Sequence, residues 1–150
     1  MSLDDIVTSI HHPQVASVGL PFIMVELKNR AALENARSYL PAMEEIYKSG
    51  TMPDILVYIR SEDEFDIRAR VFAPLDGIPE DPATGSAVCA LVAMLSHYNS
   101  EREGDYSWRI AQGVEMKRPS ILDARTEKRS GFGLWRVGCR NLPDGDRRIH

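Results

Sequence analysis

The sequence predicts an α+β domain in which a mixed, mostly antiparallel sheet curls around one central apolar helix. Three observations lead to this fold class. Segments rich in strand-forming residues are separated by short turns, which favours antiparallel or mixed pairing over a βαβ array. Residues 65–72 (FDIRARVF) alternate apolar and polar side chains with the period of a strand. Residues 86–98 are apolar on nearly all sides, so a helix there must be surrounded by protein.

The first half of the chain supplies three of about six predicted strands and two surface helices. Residues 1–17 show no clear periodicity and are predicted as a lead-in segment. Residues 19–28 (GLPFIMVELK) have little polarity on either face, which is typical of a strand buried on both sides. Asn29 is a suitable N-cap for a helix to residue 37, Pro41 is expected to end that helix, and a second helix spans 42–48. Residues 54–60 form the next strand, which pairs with 65–72 as a hairpin.

Three more strands follow the apolar helix, at residues 106–110, 120–127 and 132–140. A last hairpin-type turn is predicted at Asp144 and Gly145. In the alternating strand 65–72, Arg68 and Arg70 fall on the polar face. They are predicted as solvated charges that could assist an anion site together with Lys117 and Arg118.

The composition restricts the class of protein. The chain has 150 residues, 43% of them hydrophobic and 27% charged, which suits one folded domain with a core. Its net charge of -4 and the lack of a Lys/Arg block argue against nucleic-acid or membrane partners. The longest apolar stretch is too short for a bilayer, and no secretory signal is visible at the amino terminus. Cys89 and Cys139 form no CxxC pair, so a reduced, cytoplasmic setting is expected.

The most informative segment is the turn at residues 77–87 (GIPEDPATGSA), between a strand and the apolar helix. Backbone N–H groups and the positive end of the helix dipole converge there, an arrangement that binds carboxylates, phosphates or oxyanions. A purely structural interpretation is also available. In it Asp81 and Pro82 are N-cap and first helical residue, Thr84 and Ser86 satisfy local N–H groups, and Gly85 fits a tight turn.

Redundancy favours a binding role for this turn. One helix start needs one cap, yet three polar side chains compete for the same donors. Gly85 also lets a ligand approach the backbone closely. Of the neighbouring carboxylates Glu80 and Asp81, Asp81 is favoured as the functional one. No His, Cys, Asp and Glu residues have metal-ligand spacing, so no metal is expected, and neither a P-loop nor GxGxxG is present.

Several motifs together resemble the C-terminal half of the phenazine biosynthesis PhzF-like family, which is similar in fold to the diaminopimelate epimerases. They are RVFAP (70–74), GI (77–78), EDPATGSA (80–87), QG (112–113) and MKRPS (116–120), and the early segments GLPF (19–22) and RAAL (30–33) fit the start of that half. The resemblance implies that residues 18–150 form a single domain and that the family's N-terminal domain is absent.

The resemblance also implies a chemistry. Family members have two similar domains, with the active site in the cleft between them. They carry out cofactor-free and metal-free proton transfer on a small carboxylate-bearing substrate, giving isomerisation or epimerisation. The family's supporting aspartate falls on Asp81 and its serine on Ser86, which are therefore the expected catalytic residues. The anion-binding loop amides fall on Thr84, Gly85 and Ser86.

One departure from the family leaves two hypotheses. The family's glutamate acid/base and its glycine-histidine pair lie in the N-terminal domain, and no segment here matches either. The chain is therefore either an isomerase half that works with a separate N-terminal half, or a non-catalytic anion-binding or structural domain. A homodimer that imitates the two-domain arrangement is a further possibility. An exposed apolar cleft face is expected in each case, and with it a homo-oligomer.

Overall fold

A computed structural model describes residues 2–101, 103–129 and 133–142. Within these residues, one sheet contains eight strands. The strands are β1 (Gln14–Ser17), β2 (Pro21–Glu26), β3 (Ile55–Arg60), β4 (Ile67–Ala73), β5 (Ile78–Asp81), β6 (Gly104–Gln112), β7 (Ser120–Arg129) and β8 (Gly133–Asn141). The α-helices are α1 (Arg30–Asn35), α2 (Leu40–Lys48) and α3 (Gly85–Tyr98).

The sheet is mixed, as predicted. Its strand order is β1-β2-β3-β4-β6-β7-β8, and β5 pairs with β4 beside this path. The β2–β3 and β4–β6 pairs are parallel, and the other pairs are antiparallel. The predicted hairpin of residues 54–60 with 65–72 is present as β3 and β4.

The sheet curls around α3. This helix packs against β1 and β2 at one end of the strand order and against β6, β7 and β8 at the other. Most of its apolar side chains are buried, because a helix that is apolar on nearly every side is stable only when protein covers those sides. The fold class predicted from the sequence is therefore confirmed. The main core contains Met24, Leu56, Tyr58, Ile67, Leu91, Ile110 and Leu122.

A second apolar cluster covers the outer face of the sheet. Leu33 of α1 and Met43 of α2 pack with Val57, Ile59 and Phe72. The strands β2, β3 and β4 are therefore buried on both faces, and every residue of β4 is buried. The alternation in residues 65–72 indicated a strand correctly, but the prediction that its arginines are solvated was wrong. Arg68 is 3% exposed and Arg70 is 5% exposed.

The helix boundaries confirm one capping prediction and correct another. The Asn29 side chain accepts a hydrogen bond of 2.9 Å from the Ala32 amide and caps α1. Pro41 does not end this helix, which already stops at Asn35. Instead, Pro41 lies in the first turn of α2, where the missing N–H is not needed for a helical hydrogen bond.

Two strands were not predicted. β1 is a four-residue edge strand whose half-buried and exposed positions carry mostly small or polar side chains, and β5 contains a proline and two acidic residues. The segment 1–17, predicted as a lead-in, also places His11 in the core at 5% exposure. There the His11 Nε2 lies 2.7 Å from the Tyr58 hydroxyl. The predicted turn at Asp144 and Gly145 lies outside the described residues.

The lengths and apolar character of the helices also bear on membrane insertion. Among the residues that the structure describes, none of the helices is both long enough and apolar enough to cross a bilayer.

Candidate functional site

The predicted anion-binding turn lies between β5 and α3. After β4, a short 3-10 turn ends at Gly77, whose φ of 76° lies in the left-handed region that glycine adopts without strain. Strand β5 then returns along β4, and its last residue, Asp81, pairs with Val71. Residues 82–84 connect this strand to the first turn of α3. The site is thus fixed on one side by the sheet and on the other by the central helix.

Asp81 holds the loop but does not cap the helix. The N-cap is Thr84, whose side chain makes no capping hydrogen bond. The Asp81 carboxylate instead accepts hydrogen bonds from the Ala83 amide at 3.2 Å and from the Thr84 hydroxyl at 2.7 Å. The interpretation of Asp81 and Pro82 as N-cap and first helical residue was therefore wrong. Asp81 is still part of β5, where it pairs with Val71 of β4, so the helix begins later, at Gly85.

The side chain of Gln112 holds this loop in place by hydrogen bonds. Its side chain is fully buried at the end of β6. Its Nε2 donates to the Asp81 carbonyl at 2.8 Å and to the Thr84 hydroxyl at 3.0 Å, and its Oε1 accepts from the Thr84 amide at 3.2 Å. A neutral amide that both donates and accepts is suited to these three partners.

The role of Gln112 was missed in the sequence, where it appeared only within the QG motif. A signal was nevertheless present. Trp108, Ile110 and Gln112 occupy alternate positions of one strand, and the first two face the core. A polar side chain that continues an inward-facing series must find buried partners.

Gly113, which follows Gln112, allows the backbone of a second loop to pack against the site. Gly113 has a φ of 75°, and a Cβ added there would lie 2.3 Å from the Arg118 carbonyl oxygen and 2.9 Å from the Pro82 carbonyl oxygen. Only glycine fits this close approach. The turn at residues 113–119 therefore supports the Pro82 end of the loop directly, and in it Lys117 has a positive φ of 60°.

The first-turn amides of α3 remain available to a ligand. The amides of Ala83 and Thr84 are occupied by Asp81 and Gln112. For the amides of Gly85 and Ser86, the described residues supply no hydrogen-bond acceptor. A Cβ added at Gly85 would meet no atom within 4 Å, so the space beside it is open. Unpaired N–H groups at the start of a 14-residue helix carry partial positive charge.

Each of the two buried arginines forms an ion pair with a carboxylate. The Arg70 Nε and Nη2 bind the two carboxylate oxygens of Glu80 at 2.9 and 3.0 Å. Its Nη1 donates to the carbonyls of Leu33 and Ala36 at the end of α1, among others. Arg68 donates from Nε and Nη2 to a single oxygen of Asp63, at 3.0 and 2.8 Å, and its buried Nη1 has no hydrogen-bond partner among the described residues. Arg70 therefore joins β4 to β5 and to the end of α1, which explains its burial.

Glu115 is the remaining acidic group near Arg70 and Glu80. Burial raises the pKa of this carboxyl above its usual value. As to metals, no three His, Cys, Asp or Glu side chains within the described ranges are grouped so that they could hold an ion.

The fold and the loop motifs can now be compared with known proteins. A family model described as "Phenazine biosynthesis-like protein" matches residues 2–137. The chain belongs to the phenazine biosynthesis-like family. The match includes β1 to β7, the loop before α3 and the turn that supports it.

Several sequence relatives of the chain carry isomerase names. An uncharacterized isomerase of Deinococcus radiodurans is 34% identical over 117 residues, which are 76% of this chain and 37% of that protein. A trans-2,3-dihydro-3-hydroxyanthranilate isomerase of Pseudomonas chlororaphis is 43% identical over 63 residues, 42% of this chain and 22% of that protein. The chain thus spans well under half the length of the curated relatives that it matches.

Solved structures show the same fold. A phenazine biosynthesis protein of the PhzF family from Bacillus anthracis superposes with a TM-score of 0.77 at 16% identity, over 95% of this chain and 51% of that one. A predicted epimerase from Pseudomonas aeruginosa gives a TM-score of 0.61 at 30% identity, over 95% of this chain and 47% of that one. This phenazine biosynthesis-like chain therefore corresponds to about half of each protein.

Proposed function

We propose that this chain is one half of a phenazine biosynthesis-like isomerase and binds the carboxylate of a small substrate at the start of α3. The observation that supports this proposal is the pair of Gly85 and Ser86 amides, which have no acceptor among the described residues, beside a Gly85 that has open space where a side chain would be. Two amides at a helix start provide directed donors and a favourable potential for one carboxylate. The loop that presents them is held by Asp81 and Gln112.

The proposed reaction is cofactor-independent proton transfer. The amides of Gly85 and Ser86 bind the substrate carboxylate. When a neighbouring carbon of the substrate loses a proton, negative charge develops on this carboxylate, and the same amides stabilise it. The Ser86 hydroxyl is a donor within the same turn, and Thr84 contributes by its bonds to Asp81 and Gln112, which set the direction of the amides. Asp81 is the supporting carboxylate. A general acid/base must lie within hydrogen-bond reach of the proton it moves. We assign this group to the other half of the site, because the resemblance places the family's glutamate in the N-terminal domain.

The second half of the site is proposed to come from a separate N-terminal half or from a second copy of the chain. Two apolar side chains near the site loop are suited to such a contact. Leu75 is 37% exposed and Ile78 is 46% exposed, in the segment that leads from β4 into the loop. Exposed apolar residues beside a binding site are typical of an interface.

The experiment is a solvent-exchange assay. The chain is incubated in D2O with trans-2,3-dihydro-3-hydroxyanthranilate and with other small amino or cyclic carboxylates, alone and with the N-terminal half of a family isomerase. Incorporation of deuterium is measured by mass spectrometry. We expect incorporation when both halves are present and a loss of 10²-fold or more for Ser86→Ala. Ser107→Ala, an exposed serine on β6, is the control that leaves exchange unchanged.

A second measurement separates the proposal from a non-catalytic role. Carboxylate binding is followed through the amide NMR signals of Gly85 and Ser86. Shifts of these two signals without any exchange, even with both halves present, would contradict the isomerase and support an anion-binding domain. If these two signals do not respond to any carboxylate, the binding site itself is wrong.

A further inference from the structure

A groove lies on the outer face of β6, β7 and β8, away from the loop before α3. Helices α1 and α2 pack on the outer face of β2, β3 and β4, and α3 lies on the inner face of the sheet. The groove has a volume of about 640 Å³, which suits a small molecule. The charged side chains that line it are Asp66, Arg109, Asp123, Arg125 and Arg140.

The strand register explains the shape of the groove. Arg125 of β7 lies directly opposite Gly138 of β8, and Arg140 follows two residues later on the same face of β8. Arg125 and Arg140 are therefore diagonal neighbours, with Cα atoms roughly 7–8 Å apart. A Cβ added at Gly138 would meet no atom within 4 Å. The floor of the groove at Gly138 is therefore bare backbone, with an arginine opposite it and another beside it.

The charges of the groove are only partly paired. Arg109 forms an ion pair of 3.7 Å with Asp123, and the Arg109 amide donates a hydrogen bond of 2.7 Å to the Asp66 carboxylate. Arg125 and Arg140 are exposed, and neither side chain has a hydrogen bond or an ion pair within the part of the chain that the structure describes. Two guanidinium groups thus keep their donors unused in a chain whose net charge is -4, and together they attract an anion.

We propose that this groove binds a small phosphate monoester, with Arg125 and Arg140 holding the phosphate. A phosphate monoester carries a charge of about -2 at neutral pH, which matches two unpaired guanidinium groups. Its three terminal oxygens accept hydrogen bonds from both planar guanidinium groups, whereas a single guanidinium already satisfies a carboxylate. The organic part of the ligand lies over Gly138, where no side chain occupies the groove. The proposal does not depend on the isomerase function, because it uses none of the residues of the loop before α3.

The test is an NMR titration of the full chain at low ionic strength with three matched sugars. Glucose 6-phosphate should shift the amide signals of Arg125 and Gly138. Glucuronate, which carries a carboxylate, should bind at least about tenfold more weakly, and glucose should not bind. Equal affinity for glucuronate would overturn the assignment of a phosphate site. So would the absence of any response to glucose 6-phosphate, or shifts confined to Gly85 and Ser86.

Variants of exposed residues locate the binding within the groove. Arg125→Gln and Arg140→Gln should each weaken glucose 6-phosphate binding about tenfold. Arg136→Gln is the matched control, because Arg136 is an exposed arginine of β8 that pairs with Glu127 and does not line the groove. Gly138→Val fills the groove without changing its charge and should abolish binding.

The urea midpoint of each variant shows whether the fold is kept. An equal loss of affinity in Arg136→Gln and Arg125→Gln would overturn the proposal, since it would mean that the phosphate responds only to the overall charge of the surface. Unchanged affinity in Gly138→Val would overturn the position of the ligand. If a variant fails to fold, the three sugars still test the groove in the unmodified chain.

Discussion

Replacing Gln112 by leucine should loosen the loop before α3 and destabilise the whole fold. Leucine is close to glutamine in volume, so the packing at the end of β6 is largely kept. The change removes all three hydrogen bonds that join Gln112 to Asp81 and Thr84. It leaves the Thr84 amide and the Asp81 carbonyl in a partly buried place without their partners.

The expected size follows from these bonds. A buried polar group that loses its partner costs roughly 1–3 kcal/mol, while a satisfied hydrogen bond contributes about 1 kcal/mol. The Thr84 hydroxyl keeps its bond to Asp81, so its loss is smaller. Since the gain from an apolar side chain in a buried position offsets part of the total, we expect a loss of about 2–4 kcal/mol in unfolding free energy.

The assay combines urea denaturation with amide hydrogen exchange. Denaturation gives the change in unfolding free energy, and exchange at Thr84 reports the loop itself. Gln14→Leu is the matched control, because Gln14 bonds to the exposed Tyr98 hydroxyl at the opposite end of α3. There the same chemical change should cost less than about 1 kcal/mol, since water can replace the lost partner.

The reasoning would be refuted by a specific result. If Gln112→Leu and Gln14→Leu shift the urea midpoint equally, the buried amide has no special role. Unchanged exchange at Thr84 would likewise show that the loop holds its shape without Gln112. Gln112→Glu provides a further check, because its carboxylate faces the Asp81 carbonyl. That variant should be least stable at neutral pH and recover when acid protonates the new side chain.

Three other changes test the fold around the site. Arg70→Met leaves the half-buried Glu80 carboxylate without its partner and should lower the unfolding free energy by about 3 kcal/mol, measured by urea titration. Arg30→Met removes an exposed pair and should cost under about 0.5 kcal/mol. Similar losses for the two variants would contradict this account of Arg70. Lys117 has a φ of 60°, which glycine adopts without strain, so Lys117→Gly should raise the unfolding free energy by about 1 kcal/mol. An equal gain from Lys117→Ala would show that the backbone conformation is not the cause. Burial raises the pKa of Asp54 to about 6, so the folded state keeps this proton between about pH 4 and 6 and loses stability as the pH rises through that window. Above pH 6, the unfolding free energy of Asp54→Asn should therefore rise relative to that of the unmodified chain by up to about 3 kcal/mol. If the difference in unfolding free energy between the two proteins did not change with pH, the raised pKa of Asp54 would be contradicted.

Local sequence was informative about elements and about the site loop. The apolar run in α3 predicted a buried helix, because no solvated face could be built from it. Asn29 predicted the start of α1, since its side chain interacts only with the next turn. The cluster of Gly85 with hydroxyl and acidic residues indicated where the helix would present free amides. Each of these inferences depends on interactions within a few residues of the chain.

Other features depend on residues that are distant in sequence. The burial of Arg70 is set by α1 and by Glu80, so the alternation within β4 predicted the strand but not the covering of its polar face. The alternative interpretation of Asp81 as a helix cap is wrong because the pairing of Asp81 with Val71 across the sheet is not visible in the local sequence. The role of Gln112 has the same origin.

By itself, the sequence determined the fold class, the central helix, the location of the loop proposed to bind an anion, and the family. These properties follow from periodicity, turn chemistry and motif, all of which are local. The tertiary structure alone decided which side of β4 is covered and which side chains hold the loop. Such contacts arise only when strands and helices from distant parts of the chain pack together, because close packing then fixes every polar group to a particular partner.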